Sequence, residues 1–133
     1  MRILIKNIFL EGTKKDIFIE ESKIAKIGKN LNISADEKID GKGAKAAMPS
    51  LINSHTHSAM SLLRGYGDDL CLKEWLEGKI WPIEDKMEED DIYWGTKLAC
   101  LEMIKTGTGF FNEMYMFPGA TMKAAQEMGD RKS

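Results

Sequence analysis

Hydrophobic and polar residues alternate in short runs over the first third of the chain, then give way to helical spacing. Residues 2–10, 16–20 and 24–27 are β-rich runs separated by Gly12 with Thr13 and by Glu21 with Ser22. This pattern predicts a meander of short strands, with residues 17–28 forming a hairpin. A further extended run at residues 37–40 is expected to break at Gly41 and Gly43. The small-residue stretch Ala44 to Ala47 then closes a β-rich leader, residues 1–47.

After Pro49 the pattern changes. Leu51-Ile52 is a short apolar strand that runs directly into Asn53-Ser54-His55-Thr56-His57. Leu72, Trp75, Leu76 and Ile80 then recur at helical spacing, with Asp68 and Asp69 as N-cap candidates and Pro82 expected to stop or kink the helix. A second helix starts at the acidic group Glu88 to Asp91, where carboxylates suit the positive end of the helix dipole. Its apolar stripe is Ile92, Thr96, Ala99 and Met103, widened by Tyr93, Cys100 and Ile104, and Lys105 with Gly107 signals its end. Residues 109–115 have strand composition, and Pro118 opens a helix from about 119 to 128.

Strand, helix, helix, strand, helix is the order of parallel β/α units. The expected class is therefore α/β: a β-rich leader followed, over residues 48–133, by the first two β/α units of a barrel. A closed (β/α)8 barrel takes about 250 residues, so the barrel is incomplete in this chain.

Composition narrows the functional classes. The chain has 133 residues, 43% hydrophobic and 30% charged, which suits an ordinary soluble domain. With 19 basic and 21 acidic residues the net charge is -2, so no global attraction draws it to nucleic acid or anionic lipid, and small-molecule partners are expected. Lys6 and Asn7 interrupt the N-terminal apolar run, which argues against a signal peptide, and no stretch approaches the roughly 20 apolar residues of a membrane span. Cys71 and Cys100 lack metal or redox spacing and are expected to be reduced core thiols of a cytoplasmic protein.

The candidate chemistry lies in His55 and His57. Residues two apart on a strand point the same way, so two neutral imidazoles here can share one cation. They stand at the C-terminal end of their predicted strand, where β/α barrels build active sites. The alternative is two ordinary histidines near a surface turn, since HxH alone is a weak motif. A catalytic zinc usually takes three protein ligands, and the chain holds no third histidine. Glu113 is the best-placed local carboxylate, ahead of Asp68 and Asp69, although packing or support of the histidines is the favoured role for it.

With the motif placed, residues 48–57, Met-Pro-Ser-Leu-Ile-Asn-Ser-His-Thr-His, resemble the first barrel strand of the amidohydrolase superfamily. Residues 58–65, Glu74-Trp75-Leu76, residues 80–84, residues 93–96 and Glu113-Met114-Tyr115 resemble a narrower group, the methylthioadenosine/S-adenosylhomocysteine deaminases and related chlorohydrolases. The leader resembles part of that family's β-sandwich.

The resemblance implies a metal-dependent TIM-type barrel enzyme that deaminates an adenine-type nucleoside with metal-activated water. It implies a divalent cation on His55 and His57, zinc foremost, with iron, nickel or manganese as alternatives. It gives Glu84 the ribose hydroxyls and lets Trp81 line the nucleoside pocket. Trp75 is expected on a helix core face instead, and Arg64 with Gly65 is expected to shape a loop. A homo-oligomer is implied as well.

Two departures are mild: Ser50 follows Pro49 where the family usually has glycine, and Glu113 stands where aspartate is commoner. The family's further ligating histidine, its catalytic glutamate and its final aspartate are expected beyond residue 133. Two readings follow. One is the N-terminal part of a deaminase, inactive alone; the other is a short non-enzymatic product that binds metal weakly or associates through an exposed barrel edge.

Overall fold

The leader forms one four-stranded sheet in the order β3-β2-β1-β4, made of β1 (Arg2–Leu10), β2 (Thr13–Glu20), β3 (Lys23–Gly28) and β4 (Glu37–Ala46). These come from a computed structural model that describes residues 1–129 and the backbone of residues 131 and 132. The predicted meander and hairpin are present, with β1-β2 and β2-β3 antiparallel, and β4 returns to pair parallel with β1. Leu4, Phe18 and Leu31 are buried together beneath Ile33 and Ala35.

One buried charge organises this unit. Asp16 is 3% exposed, and its carboxylate accepts the backbone N–H groups of Asn7 (3.0 Å) and Leu31 (2.8 Å). Those bonds satisfy the carboxylate and pin both a strand irregularity at Asn7 and the loop after β3.

The predicted break at Gly41 and Gly43 does not occur; β4 runs through both to Ala46. A Cβ at Gly41 would lie 2.4 Å from Ile8 Cγ2 and 2.9 Å from the Asn7 carbonyl oxygen, and Gly43 has φ +66°. The glycines therefore accommodate a bulge, where the β1-β4 register shifts between Lys6 and Ile8, and pairing resumes beyond it.

The chain divides into two compact units, and the division falls after Pro49. Ala47 still donates its N–H to the Phe9 carbonyl at 2.8 Å, which holds the end of β4 to the first unit.

The second unit starts with β5 (Leu51–Thr56), a 3-10 turn (Ser58–Leu63) and an irregular helix. That helix consists of α1 (Leu72–Trp75), a π segment (Leu76–Ile80) and α2 (Trp81–Glu84). Neither Asp68 nor Asp69 caps it: the cap position is Cys71, which makes no side-chain cap bond, and Asp69 adopts a left-handed φ of 64°. Pro82 does not stop the helix. It sits in the first turn of α2, where a missing N–H is tolerated.

Next come α3 (Glu89–Thr106), β6 (Thr108–Glu113), α4 (Pro118–Met128) and β7 (Arg131–Lys132), with the parallel strands ordered β5-β6-β7. The sequence pattern had not suggested β7. Ile92, Gly95, Thr96, Ala99 and Cys100 form the buried face of α3, while Met103 is half-buried. Ile104, expected on that face, is 48% exposed. Cys100 is buried with Phe111 and Ala125, whereas Cys71 is exposed rather than in the core. Among the described residues no helix is long and apolar enough to cross a membrane.

A reciprocal capping box opens α3: the Glu88 side chain accepts a backbone N–H of the first turn, and the Glu88 N–H donates to Asp91 Oδ2 at 2.9 Å. Asp91→Ala is expected to lower stability by about 1 kcal/mol, read from the urea midpoint at constant m-value.

Candidate functional site

His55 lies in β5, and His57 follows its last residue at the entry to the 3-10 turn. Their rings meet edge to face with centroids 5.2 Å apart. The β5-β6 register shifts between Asn53 and Thr56, pairing Asn53 with Phe111 and Thr56 with Glu113. The histidine pair thus stands in an interrupted stretch of ladder, the kind of irregularity that re-aims side chains at strand ends. His55 is exposed and His57 half-buried.

Glu113 holds the backbone behind this pair. Its Oε2 accepts the Ser58 N–H (2.9 Å) and its Oε1 the Met114 N–H (3.0 Å). With both oxygens engaged it supports the turn after His57. Neither Glu113 nor Asp68 or Asp69 completes a set, because the described residues contain no group of three or more His, Cys, Asp or Glu able to hold a metal ion. His57 nevertheless offers a free donor of the kind a cation takes: among the described residues its buried Nδ1 has no hydrogen-bond partner. A buried ring nitrogen left without a partner is costly unless something else engages it.

Beside His57 opens a cavity of about 520 Å³. Its polar wall is His57 and Glu84, its aromatic wall Trp75, Trp81 and Tyr115, and Met60, Met114 and Met116 add polarisable apolar surface. Glu84 and Trp81 thus share one cavity with His57, while His55 is not among its lining residues. Trp75 faces the cavity instead of a core: it is half-buried, and its Nε1–H donates to the Tyr66 carbonyl at 3.2 Å. Arg64 lies outside this cavity and forms a two-pronged ion pair with Glu102 of α3, at 3.0 and 2.7 Å.

Tyr115 is the residue to which sequence reasoning gave no role. Its hydroxyl donates to Glu84 Oε1 at 2.6 Å, and its ring lies 5.4 Å from that of His57. Burial, then the bond to Glu84 and the charges of Glu84 and Glu113, raise its pKa, so the hydroxyl stays a donor. Its local signals were its place in the run Glu113-Met114-Tyr115 and its position two residues beyond the C-terminal end of a parallel strand.

Parallel β/α units with a histidine pair at a strand end, one member of which lines an aromatic cavity with one carboxylate, are the arrangement with which a β/α barrel begins. The chain belongs to the amidohydrolase family, whose model matches residues 46–130. It is 53% identical over 131 residues to the 5'-deoxyadenosine deaminase of Methanocaldococcus jannaschii, covering 97% of this chain and 31% of that protein. It is 50% identical over 136 residues to 5-methylthioadenosine/S-adenosylhomocysteine deaminase 1 of Archaeoglobus fulgidus, with the same 97% and 31% coverage. Among solved structures, an adenosine deaminase from Xanthomonas campestris with bound zinc superposes with a TM-score of 0.83 at 27% identity, over 98% of this chain and 32% of that one. The chain therefore spans about a third of the length of the curated relatives it matches. The expected fold class stands: a β-rich leader and the first β/α units of an amidohydrolase barrel.

Proposed function

We propose that this chain supplies the N-terminal third of a metal-dependent deaminase acting on adenine nucleosides of the methylthioadenosine, S-adenosylhomocysteine or 5'-deoxyadenosine type. The observation that carries the reading is the shared cavity, with the unpartnered Nδ1 of His57 on one wall and the carboxylate of Glu84 on another. The leader would form part of a β-sandwich with later residues. Further metal ligands and the proton-transferring carboxylates would come from later barrel strands. A cytoplasmic homo-oligomer is the form we assign to the full-length enzyme.

His55 and His57 would hold a divalent cation, most suitably zinc, with iron, nickel or manganese compatible with imidazole donors. When bound, such a cation supplies Lewis-acid activation of water for hydrolytic loss of ammonia from the purine. The chain's own residues bind and orient. Glu84 accepts hydrogen bonds from the two ribose hydroxyls, since a carboxylate offers two oxygens to a cis diol. Trp81 gives the base an aromatic face, and the methionines accommodate an apolar 5'-substituent. Glu113 keeps the turn after His57 in register through its two backbone bonds.

The test is Glu84→Ala in the full-length enzyme. KM for a ribonucleoside is expected to rise roughly 30-fold, from loss of charge-assisted hydrogen bonds, with metal content unchanged. An unchanged KM would point to a substrate without a ribose. Reading the DNA beyond the codon for Ser133 tests the other half of the proposal, because a stop there with no further histidine, glutamate and aspartate would sink it.

A further inference from the structure

We infer that Tyr115 is the positioning residue for Glu84, fixing the carboxylate so that its unused lone pairs face the sugar diol. This rests on the function proposed above. Glu84 ends α2, a four-residue helix that follows a π segment, so its backbone support is short. Among the described residues it takes part in no ion pair, and its side-chain oxygen has one polar side-chain partner, the Tyr115 hydroxyl at 2.6 Å. A glutamate side chain with no anchor rotates about three bonds, whereas chelation of a cis diol needs one orientation.

Tyr115 is well held for the task. Its ring packs against the buried cluster of Ala59, Ile92 and Ala120, and lies edge to face on His57. Its hydroxyl also approaches Met87 Sδ at 3.8 Å. The donor is neutral, so it places no positive charge beside Glu84. One hydroxyl occupies one acceptor site out of about four on a carboxylate, and those left over serve both ribose hydroxyls. Through its ring and its hydroxyl, Tyr115 also links the histidine end of the cavity to the sugar end.

The experiment compares the full-length wild type, Tyr115→Phe, Glu84→Ala and the double variant on adenosine and 2',3'-dideoxyadenosine. Tyr115→Phe is expected to raise KM for adenosine about tenfold more than for the dideoxynucleoside, with kcat and metal content little changed. In the Glu84→Ala background the same substitution should have no further effect on that preference. Equal losses on both nucleosides, an undiminished effect without Glu84, or loss of metal on removing only the hydroxyl would each overturn the assignment. Should Glu84→Ala itself leave the preference for adenosine intact, the proposed role of Glu84 fails first. If Glu84→Ala abolishes the preference while Tyr115→Phe leaves it intact, only the positioning role fails.

Discussion

His57→Ala in the full-length enzyme is expected to release the bound metal and lower kcat/KM by about three orders of magnitude, since a Lewis acid at the reacting water is worth several kcal/mol. His57 should matter more than its neighbour His55 for substrate placement. It is the half-buried member of the pair, its Nδ1 lacks a partner among the described residues, and it alone of the two lines the cavity. Removing either imidazole takes away a proposed ligand, so both variants should lose metal by atomic absorption. Only His57→Ala also removes a cavity wall and the edge contact to Tyr115. The separable result is nucleoside affinity in the metal-free proteins: weakened by His57→Ala, little changed by His55→Ala. Full metal retention by His57→Ala would refute its assignment as a ligand.

The sequence makes the site half legible for a physical reason. His55 and His57 are two residues apart at the end of β5, a spacing that predicts neighbouring side chains, and their rings lie 5.2 Å apart although His57 falls just past the last strand residue. Tyr115 and Trp75 depend on contacts that no local pattern carries: Tyr115 meets Glu84 31 residues away, and the cavity that Trp75 lines takes Met114, Tyr115 and Met116 from beyond β6. The spacing of Trp75 with Leu76 and Ile80 does bring them together, but on the wall of the cavity, and Leu72 is exposed.

The fold divides along the same line. Period-two runs located β1, β2 and β3, and the acidic start and Gly107 end bracketed α3. Gly41 suggested a break, but its meaning lies in the approach of Ile8 on the neighbouring strand. Asp68 and Asp69 have the composition of caps, yet the left-handed turn at Asp69 carries the chain past them to Cys71. β7 consists of Arg131 and Lys132 and has no apolar run to announce it; its evidence is backbone pairing with β6.

Gly95→Ala should destabilise the protein by about 3 kcal/mol and weaken metal affinity of the full-length enzyme about tenfold. A Cβ there would lie 2.8 Å from the Ala59 carbonyl oxygen, 2.9 Å from Ala59 Cα and 3.0 Å from Leu62 Cδ1. Two of these are backbone atoms of the 3-10 turn, which cannot rotate aside as a side chain can. The turn is also bonded to α3 at this point: Ser61 Oγ–H donates to the Gly95 carbonyl at 2.9 Å, and Ser58 and Thr96 hydroxyls pair at 3.0 Å. Ala59 is fully buried, in one cluster with Ile92 and Ala120. To admit the methyl group, the turn must lift from α3, and the turn begins at the residue after His57. Lifting it would pull Ser58 N–H from Glu113 and tilt the imidazole, so a packing fault in α3 should be transmitted to the proposed metal site. The expected signature is a lowered melting temperature together with weaker metal binding in a competition titration. A large fall in stability with unchanged metal affinity would mean that β5 and Glu113 alone hold His57 in place.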